Sequence, residues 1–488
     1  MTAPNATASL PGATLPGASL PGATLPGASL PGGGISETSS ARIYLHPESG
    51  GEHPEGGGPA HGHDLLRLAT AGSVDDGKST LVGRLLHDTK SVLADQLAAV
   101  ERASRDRGLD VTDLALLTDG LRAEREQGIT IDVAYRFFST ATRSYVLADT
   151  PGHVQYTRNM VTGASTAELA LILVDARHGV VEQTRRHLAV TGLLGVRHVA
   201  LAVNKMDLVG WDEETYRRLA DAFSSLAADV GIEDVVAVPL SALLGDNVVD
   251  RSQHTPWYAG PTLLEHLESV PVGTDPSAQP LRMPVQYVIR PRSAAHPDYR
   301  GYAGRLASGV VHLGDEVVVL PSGRRTTVVG IDRGGRPGEA DEQDVAFAPQ
   351  SVVLRLADDI DISRGDLIAA AAGAPAVSSS VTGTVAVVAD RPLRARDRVL
   401  VRLGTRTVRG VVEGLLDQLD LTTMEHQSHP IALELNAIGR VRVRLAEPAP
   451  VDDYTHLRRT GSFLLIDEAD GTTLAAGMAE IDVHDTPV

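Results

Sequence analysis

Two textures of hydrophobic and polar positions divide this chain. Between Asp64 and Pro271, short apolar runs alternate with amphipathic stretches. Leu65-Leu66-Arg67-Leu68-Ala69-Thr70, Tyr145-Val146-Leu147-Ala148, Leu169 to Val174 and Val199 to Val203 have strand length and predict buried strands. Leu81 to Leu86 and Gln183 to Leu194 carry helical spacing between them. Such alternation predicts a doubly wound, mostly parallel α/β sheet with helices on both faces. Val92 to Val100, apolar at 93, 97 and 100, reads either as a mobile amphipathic helix or as one packed on the core.

Beyond the linker Val272-Gly273-Thr274-Asp275-Pro276 the texture changes. β-branched runs are now separated by Gly and Pro turns, as in Val310-Val311-His312-Leu313-Gly314 and Val317-Val318-Val319-Leu320-Pro321. This predicts an all-β barrel over residues 281–372. A small-residue joint, Ala369 to Ala376, leads to a second barrel over 379–488, with strands such as Val399 to Leu403 and Val441 to Leu445. Ahead of the 64–272 α/β domain, Leu-Pro-Gly-Ala-Ser/Thr repeats from Leu10 onwards. Pro and Gly every five residues suit neither helix nor strand, so residues 1–63 read as a disordered tail and linker. His61 and His63 read as part of that solvated linker rather than as a metal site.

Composition narrows the chemistry. The chain has 488 residues and no cysteine, which excludes disulfides, thiolate metal sites and cysteine nucleophiles. At 42% hydrophobic and 22% charged it is an ordinary globular chain, and its length suits about three domains. No run reaches the roughly 18–20 apolar residues of a membrane helix. With a net charge of −18 it is a poor non-specific binder of nucleic acid. Only three of its 44 basic residues are lysine, Lys78, Lys90 and Lys205. A coding bias towards arginine explains the scarcity. The lysines that persist are then candidates for places where a compact point charge is needed and a planar fork will not serve.

Two of them fall in motifs. Gly72-Ser73-Val74-Asp75-Asp76-Gly77-Lys78-Ser79 brackets four residues between glycines and ends in Lys-Ser, with a strand before and a helix after. Backbone amides from this turn through Thr80 would face phosphate oxygens, Lys78 would reach the outer phosphates, and Ser79 would ligate Mg²⁺. Asp149-Thr150-Pro151-Gly152-His153 follows the strand at Tyr145. Asp149 would hold the metal through water, the Gly152 amide would sense the γ-phosphate, and His153 would orient the attacking water. Asn204-Lys205-Met206-Asp207 follows the strand at Val199. The Asp207 carboxylate can accept two N–H bonds from a guanine edge, which adenine cannot supply. Asn204 would tie this loop to the phosphate loop and the Lys205 stem would lie over the base. The amides of Ser241-Ala242-Leu243 would meet the guanine oxygen. Thr130, in Gln127-Gly128-Ile129-Thr130-Ile131, is placed to close on Mg²⁺ when triphosphate binds, as ordered switch segments do.

These motifs in this order resemble the translation-factor, elongation-factor-Tu-like superfamily of P-loop GTPases. Within it the chain is most similar to the large GTPase subunits of bacterial sulfate adenylyltransferase. That closer similarity rests on Val74 to Leu81 with Asp76 where translation factors carry His, on Gly83 to Lys90, and on Arg125 to Tyr135. Trp257 to Leu264, Asp298 to Gly304, Asp361 to Asp366 and Thr460 to Phe463 extend it to Gly477. The resemblance implies GTP and Mg²⁺ as ligands, with Lys78, Thr130 and His153 in catalysis and Ser79, Thr130 and Asp149 at the metal. It also implies a separate small ATP-binding subunit as partner, no nucleic acid or membrane partner, and a cytoplasmic location. Two neighbouring readings stay open on sequence: a translation GTPase that binds aminoacyl-tRNA, and a subunit serving nodulation-type sulfation. No second phosphate loop is visible, so an adenylylsulfate kinase activity is not implied.

Overall fold

The computed structural model describes residues 64–106, 108, 112–118, 133–150, 157–271, 276–291, 298–333, 341–421 and 423–481. The repeat tail, Thr130, Gly152, His153 and the His61/His63 pair lie outside these.

The first region is built on a six-stranded sheet. Its strands are β1 Asp64–Ala71, β2 Ala134–Ser139, β3 Arg143–Asp149, β4 Leu169–Asp175, β5 His198–Asn204 and β6 Asp234–Pro239, in the order β2-β3-β1-β4-β5-β6. All neighbours are parallel except β2, an antiparallel edge strand. β4 is buried along its whole length, as an apolar run between two parallel neighbours must be. The helices are α1 Lys78–Asp88, α2 Ala94–Asp106, α3 Thr157–Ala164, α4 Glu182–Leu193, α5 Glu213–Asp229 and α6 Leu263–Ser269.

Period-two alternation divides the core between the sheet's two faces. Leu66, Leu68, Leu169, Leu171 and Leu173 pack with Leu81 and Leu85 of α1 and Leu263 and Leu267 of α6. Ala69, Ala71, Ala170, Ile172 and Val174 pack with Met160 of α3, Leu188 of α4 and Phe223 of α5. Caps set the helix starts: the Asp212 side chain accepts from Thr215 N at 2.8 Å, and Thr262 with Glu265 forms a capping box. Of the amphipathic stretch at Val92 to Val100, Val100 is buried while Leu93 is 64% exposed and precedes the helix. Its packing face instead continues to Ser104, whose hydroxyl accepts from Asp113 N at 2.9 Å.

The remaining described residues form two closed antiparallel sheets. In the first, Glu316–Leu320, Leu367–Ala370, Arg282–Ile289, Gly301–Arg305, Ser351–Leu356 and Arg324–Arg333 follow one another, and Glu316–Leu320 pairs back onto Arg324–Arg333. In the second, Arg398–Leu403, Ser462–Asp467, Thr473–Glu480, Ala376–Val387, Ile438–Val451 and Arg406–Leu419 close in the same way. Each encloses its own apolar core. The two are joined by a buried ion pair: Arg282 Nε and Nη2 donate to both oxygens of Asp452, each at 3.0 Å. The second barrel also meets the α/β region, where the Tyr454 hydroxyl donates to Leu194 O at 2.9 Å.

Candidate nucleotide site

Four loops leave the carboxyl ends of parallel strands on one edge of the sheet, where ligands of open α/β sheets bind. The loop after β1 runs from Gly72 into α1. Asp75 at φ 69° and Gly77 at φ 91° stand in the left-handed region, which turns successive amides inward to form a concave nest. Asp76 N donates to Ser73 O at 3.3 Å and Ser73 N to Asp76 Oδ2 at 2.7 Å, holding the turn closed. A Cβ on Gly77 would come within 2.4 Å of Asn204 Nδ2, so the close approach of the two loops requires glycine there.

Asn204, at the end of β5, joins three loops. Its Nδ2 donates to Asp76 O at 2.7 Å and its Oδ1 accepts from Ala242 N at 2.9 Å. Lys205, at φ 62°, lies across the phosphate loop: its ammonium donates to Asp75 O and pairs with Asp175 Oδ2 at 3.0 Å. Asp207 is half-buried, and its carboxylate has no hydrogen bond or ion pair among the described residues. Leu243 is exposed beside buried Ser241 and Ala242. On the other flank, register pairs Thr70 of β1 with Asp149 of β3, and the Thr70 hydroxyl donates to Asp149 Oδ1 at 2.9 Å.

Electrostatics mark the place of an anion. Lys78 is 7% exposed, and its ammonium makes no ion pair or hydrogen bond among the described residues. Burial pulls it below the ordinary lysine range, while Asp149 and Asp76 pull the other way. Burial pushes the Asp76 carboxyl up to about 6, offset in part by the Ser73 amide. No side chain caps α1, so its first amides, those of Lys78, Ser79 and Thr80, are left for an external acceptor. The Ser73 hydroxyl is buried without a partner. A concave nest of amides, a helix with no side-chain cap and a buried ammonium with no ion pair among the described residues fit the phosphates of a nucleotide. The Ser79 hydroxyl, without a hydrogen bond among the described residues, and the buried Asp149 carboxylate fit a magnesium ion beside them.

The described members of the expected site, Gly72 to Thr80, Asp149, Asn204, Lys205, Asp207 and Ser241 to Leu243, thus converge. Three further residues support them and escaped the sequence reading. Asp175 is 1% exposed and anchors Lys205. Burial alone would raise its carboxyl, but hydrogen bonds from Arg177 and Lys205 hold it well below the usual range. Its signal was an acid at the end of a strand, as at Asp149. Arg84 of α1 reaches the carbonyls of Ala242 and Leu243, and Thr70 holds Asp149. Thr70 carries no motif, and Arg84 lies in the family-like stretch Gly83 to Lys90 without a role read for it. Lys90, the remaining lysine, is exposed just beyond α1 at φ 58° and takes no part.

Comparison with known proteins agrees. Residues 63–272 match the family described as the elongation factor Tu GTP binding domain, and residues 380–480 match the GTP-eEF1A C-terminal domain-like family. A protein of Mycobacterium tuberculosis named "Bifunctional enzyme CysN/CysC" is 56% identical over 420 residues, 86% of this chain and 68% of that one. "Sulfate adenylyltransferase subunit 1" of Pseudoalteromonas atlantica is 47% identical over 425 residues, 87% of this chain and 88% of its own length. The protein of that name from Chromobacterium violaceum is 50% identical over 419 residues, 85% and 86% of the two chains. Fold and comparisons together define a GTPase of the elongation-factor-Tu-like class. Within that class the chain belongs to the sulfate adenylyltransferase subunit 1 family.

Proposed function

We propose that this chain hydrolyses GTP and couples that reaction to the activation of sulfate by a separate small ATP-binding subunit in the cytoplasm. In the coupled reaction a sulfate oxygen attacks the α-phosphorus of ATP, the bond to the β-phosphate breaks, and adenylyl sulfate and diphosphate leave. The phosphoric–sulfuric anhydride so formed is uphill, and cleavage of GTP to GDP and phosphate supplies the drive. The observation that carries the reading is a buried Lys78 and a half-buried Asp207, neither with an ion pair or hydrogen bond among the described residues, on loops that Asn204 ties together. The names of relatives at 47–56% identity support the sulfate reading over the aminoacyl-tRNA one.

Each residue has a defined part. Amides from Gly72 to Thr80 and the Lys78 ammonium bind and orient the phosphates, and Asp207 reads the guanine edge while Lys205 covers the base. Ser79, Thr130 and Asp149 hold Mg²⁺, which when bound neutralises phosphate charge. Gly152 senses the γ-phosphate and His153 orients the attacking water. The purified chain is expected to bind and hydrolyse GTP, to form no adenylyl sulfate alone, and to keep GTP binding but lose hydrolysis in His153→Ala. Adenylyl sulfate made by the chain alone refutes the division of labour.

A further inference from the structure

A second cleft lies between the α/β region and the second barrel, with a volume of about 420 Å³. Val161 and Ser165, in and just after α3, and Leu194 form its wall on one side. Arg402, Arg458 and Arg459 reach it from the other. The Arg458 guanidinium lies 5.9 Å from the centre of the Tyr454 ring, and Nη2 donates to Ser165 O at 3.4 Å. None of the three arginines has a carboxylate partner among the described residues, and Arg402 and Arg459 are exposed. A chain of net charge −18 thus places three guanidiniums without a carboxylate partner among the described residues on the lining of one cleft.

Guanidinium forks match phosphate and sulfate oxygens, and clefts of roughly 300–1,000 Å³ hold small organic ligands. Leu464 and Ala476, half-buried in the same lining, supply apolar surface for an organic body. The geometry points to a second ligand site, taking a phosphate or sulfate ester of nucleotide size, whose occupancy acts on GTP turnover through α3. The route is short, because α3 begins a few residues beyond Asp149, Gly152 and His153, and Val161 lies on that helix. Coupling of this kind is reciprocal between the two sites.

The test uses the full chain saturated with GDP, so that the phosphate loop is filled, titrated calorimetrically with adenylyl sulfate, ATP and inorganic diphosphate in separate arms. Saturable binding of one nucleotide probe is expected, weakened about tenfold or more in Arg402→Ala/Arg459→Ala, whose GDP affinity without probe stays that of the wild type. The same probe should shift the GTP hydrolysis rate of the wild type and leave that of the double variant unmoved. The arms separate the sources, since adenylyl sulfate alone identifies a mixed anhydride and ATP a polyphosphate. Absence of saturable binding, equal binding by the double variant, diphosphate binding as tightly as the nucleotides, or binding without change in hydrolysis each overturns the proposal.

Discussion

Asn204 donates its side-chain amide to the Asp76 carbonyl at 2.7 Å, fastening the loop after β5 to the phosphate loop. Its carboxamide oxygen is used as well, by Ala242 N at 2.9 Å. One buried side chain therefore ties together the loops after β1, β5 and β6, the proposed phosphate-holding and base-reading parts of the site.

Asn204→Ala is expected to leave the Asp76 carbonyl and the Ala242 amide unpaired in a buried setting, at about 1–3 kcal/mol each. GDP affinity should fall tenfold or more and the melting temperature should drop. Calorimetry with GDP and a thermal melt check both. Unchanged affinity would show that the two loops hold their positions without it.

Asp207→Asn should exchange base preference. The free carboxylate is replaced by an amide that suits the keto edge of xanthine, so binding of guanine nucleotides should weaken and that of xanthine nucleotides improve. Competition between GDP and xanthosine diphosphate on the variant measures it. Retained guanine selectivity would refute the base-reading role.

Much of this site could be read from residues alone because each loop follows an apolar strand. The strands at Leu65, Tyr145, Leu169 and Val199 became β1, β3, β4 and β5, with Gly72 following β1, Asp149 ending β3 and Asn204 ending β5. What stayed hidden was pairing across the sheet. Nothing near Asp175 in sequence says that Lys205 will reach it, and nothing near Arg84 says that it will meet Ala242. Those contacts arise from sheet order and helix placement, which local periodicity does not encode. The same holds for Arg282 and Asp452, which lie 170 residues apart.

That ion pair gives a stability prediction. Arg282 is 2% exposed and both its forks are satisfied, by Asp452, Leu281 O and Gly373 O. Arg282→Met should cost about 3–5 kcal/mol by leaving a buried carboxylate with the Thr460 hydroxyl but no cation, and Arg282→Met/Asp452→Leu should recover most of it. Urea unfolding of the two variants decides. A double variant as unstable as the single one would mean that the pair contributes through more than its buried charges.

His187 on α4 is 2% exposed, and burial, with Lys78 and Arg186 nearby, pulls its imidazole down to about 3. The folded chain therefore binds fewer protons than the unfolded chain between about pH 3 and 6.5, so stability should fall as pH drops through that window. Asp76, pushed up to about 6, contributes with the opposite sign, and comparison with a variant cancels it. His187→Leu should flatten the dependence between pH 5 and 6.5 by up to about 1.4 kcal/mol per pH unit. Parallel stability curves for wild type and variant would contradict the buried neutral state.

The central claim is that GTP bound at Lys78 and Asp207 drives sulfate activation on a separate subunit. The direct test measures adenylyl sulfate formed from ATP and sulfate by the chain together with the proposed small ATP-binding subunit, with and without GTP, for wild type and Lys78→Ala. The account predicts that GTP raises the yield above the ATP-only equilibrium, in step with GTP hydrolysis, and that Lys78→Ala abolishes the increase. An equal yield with and without GTP would contradict it.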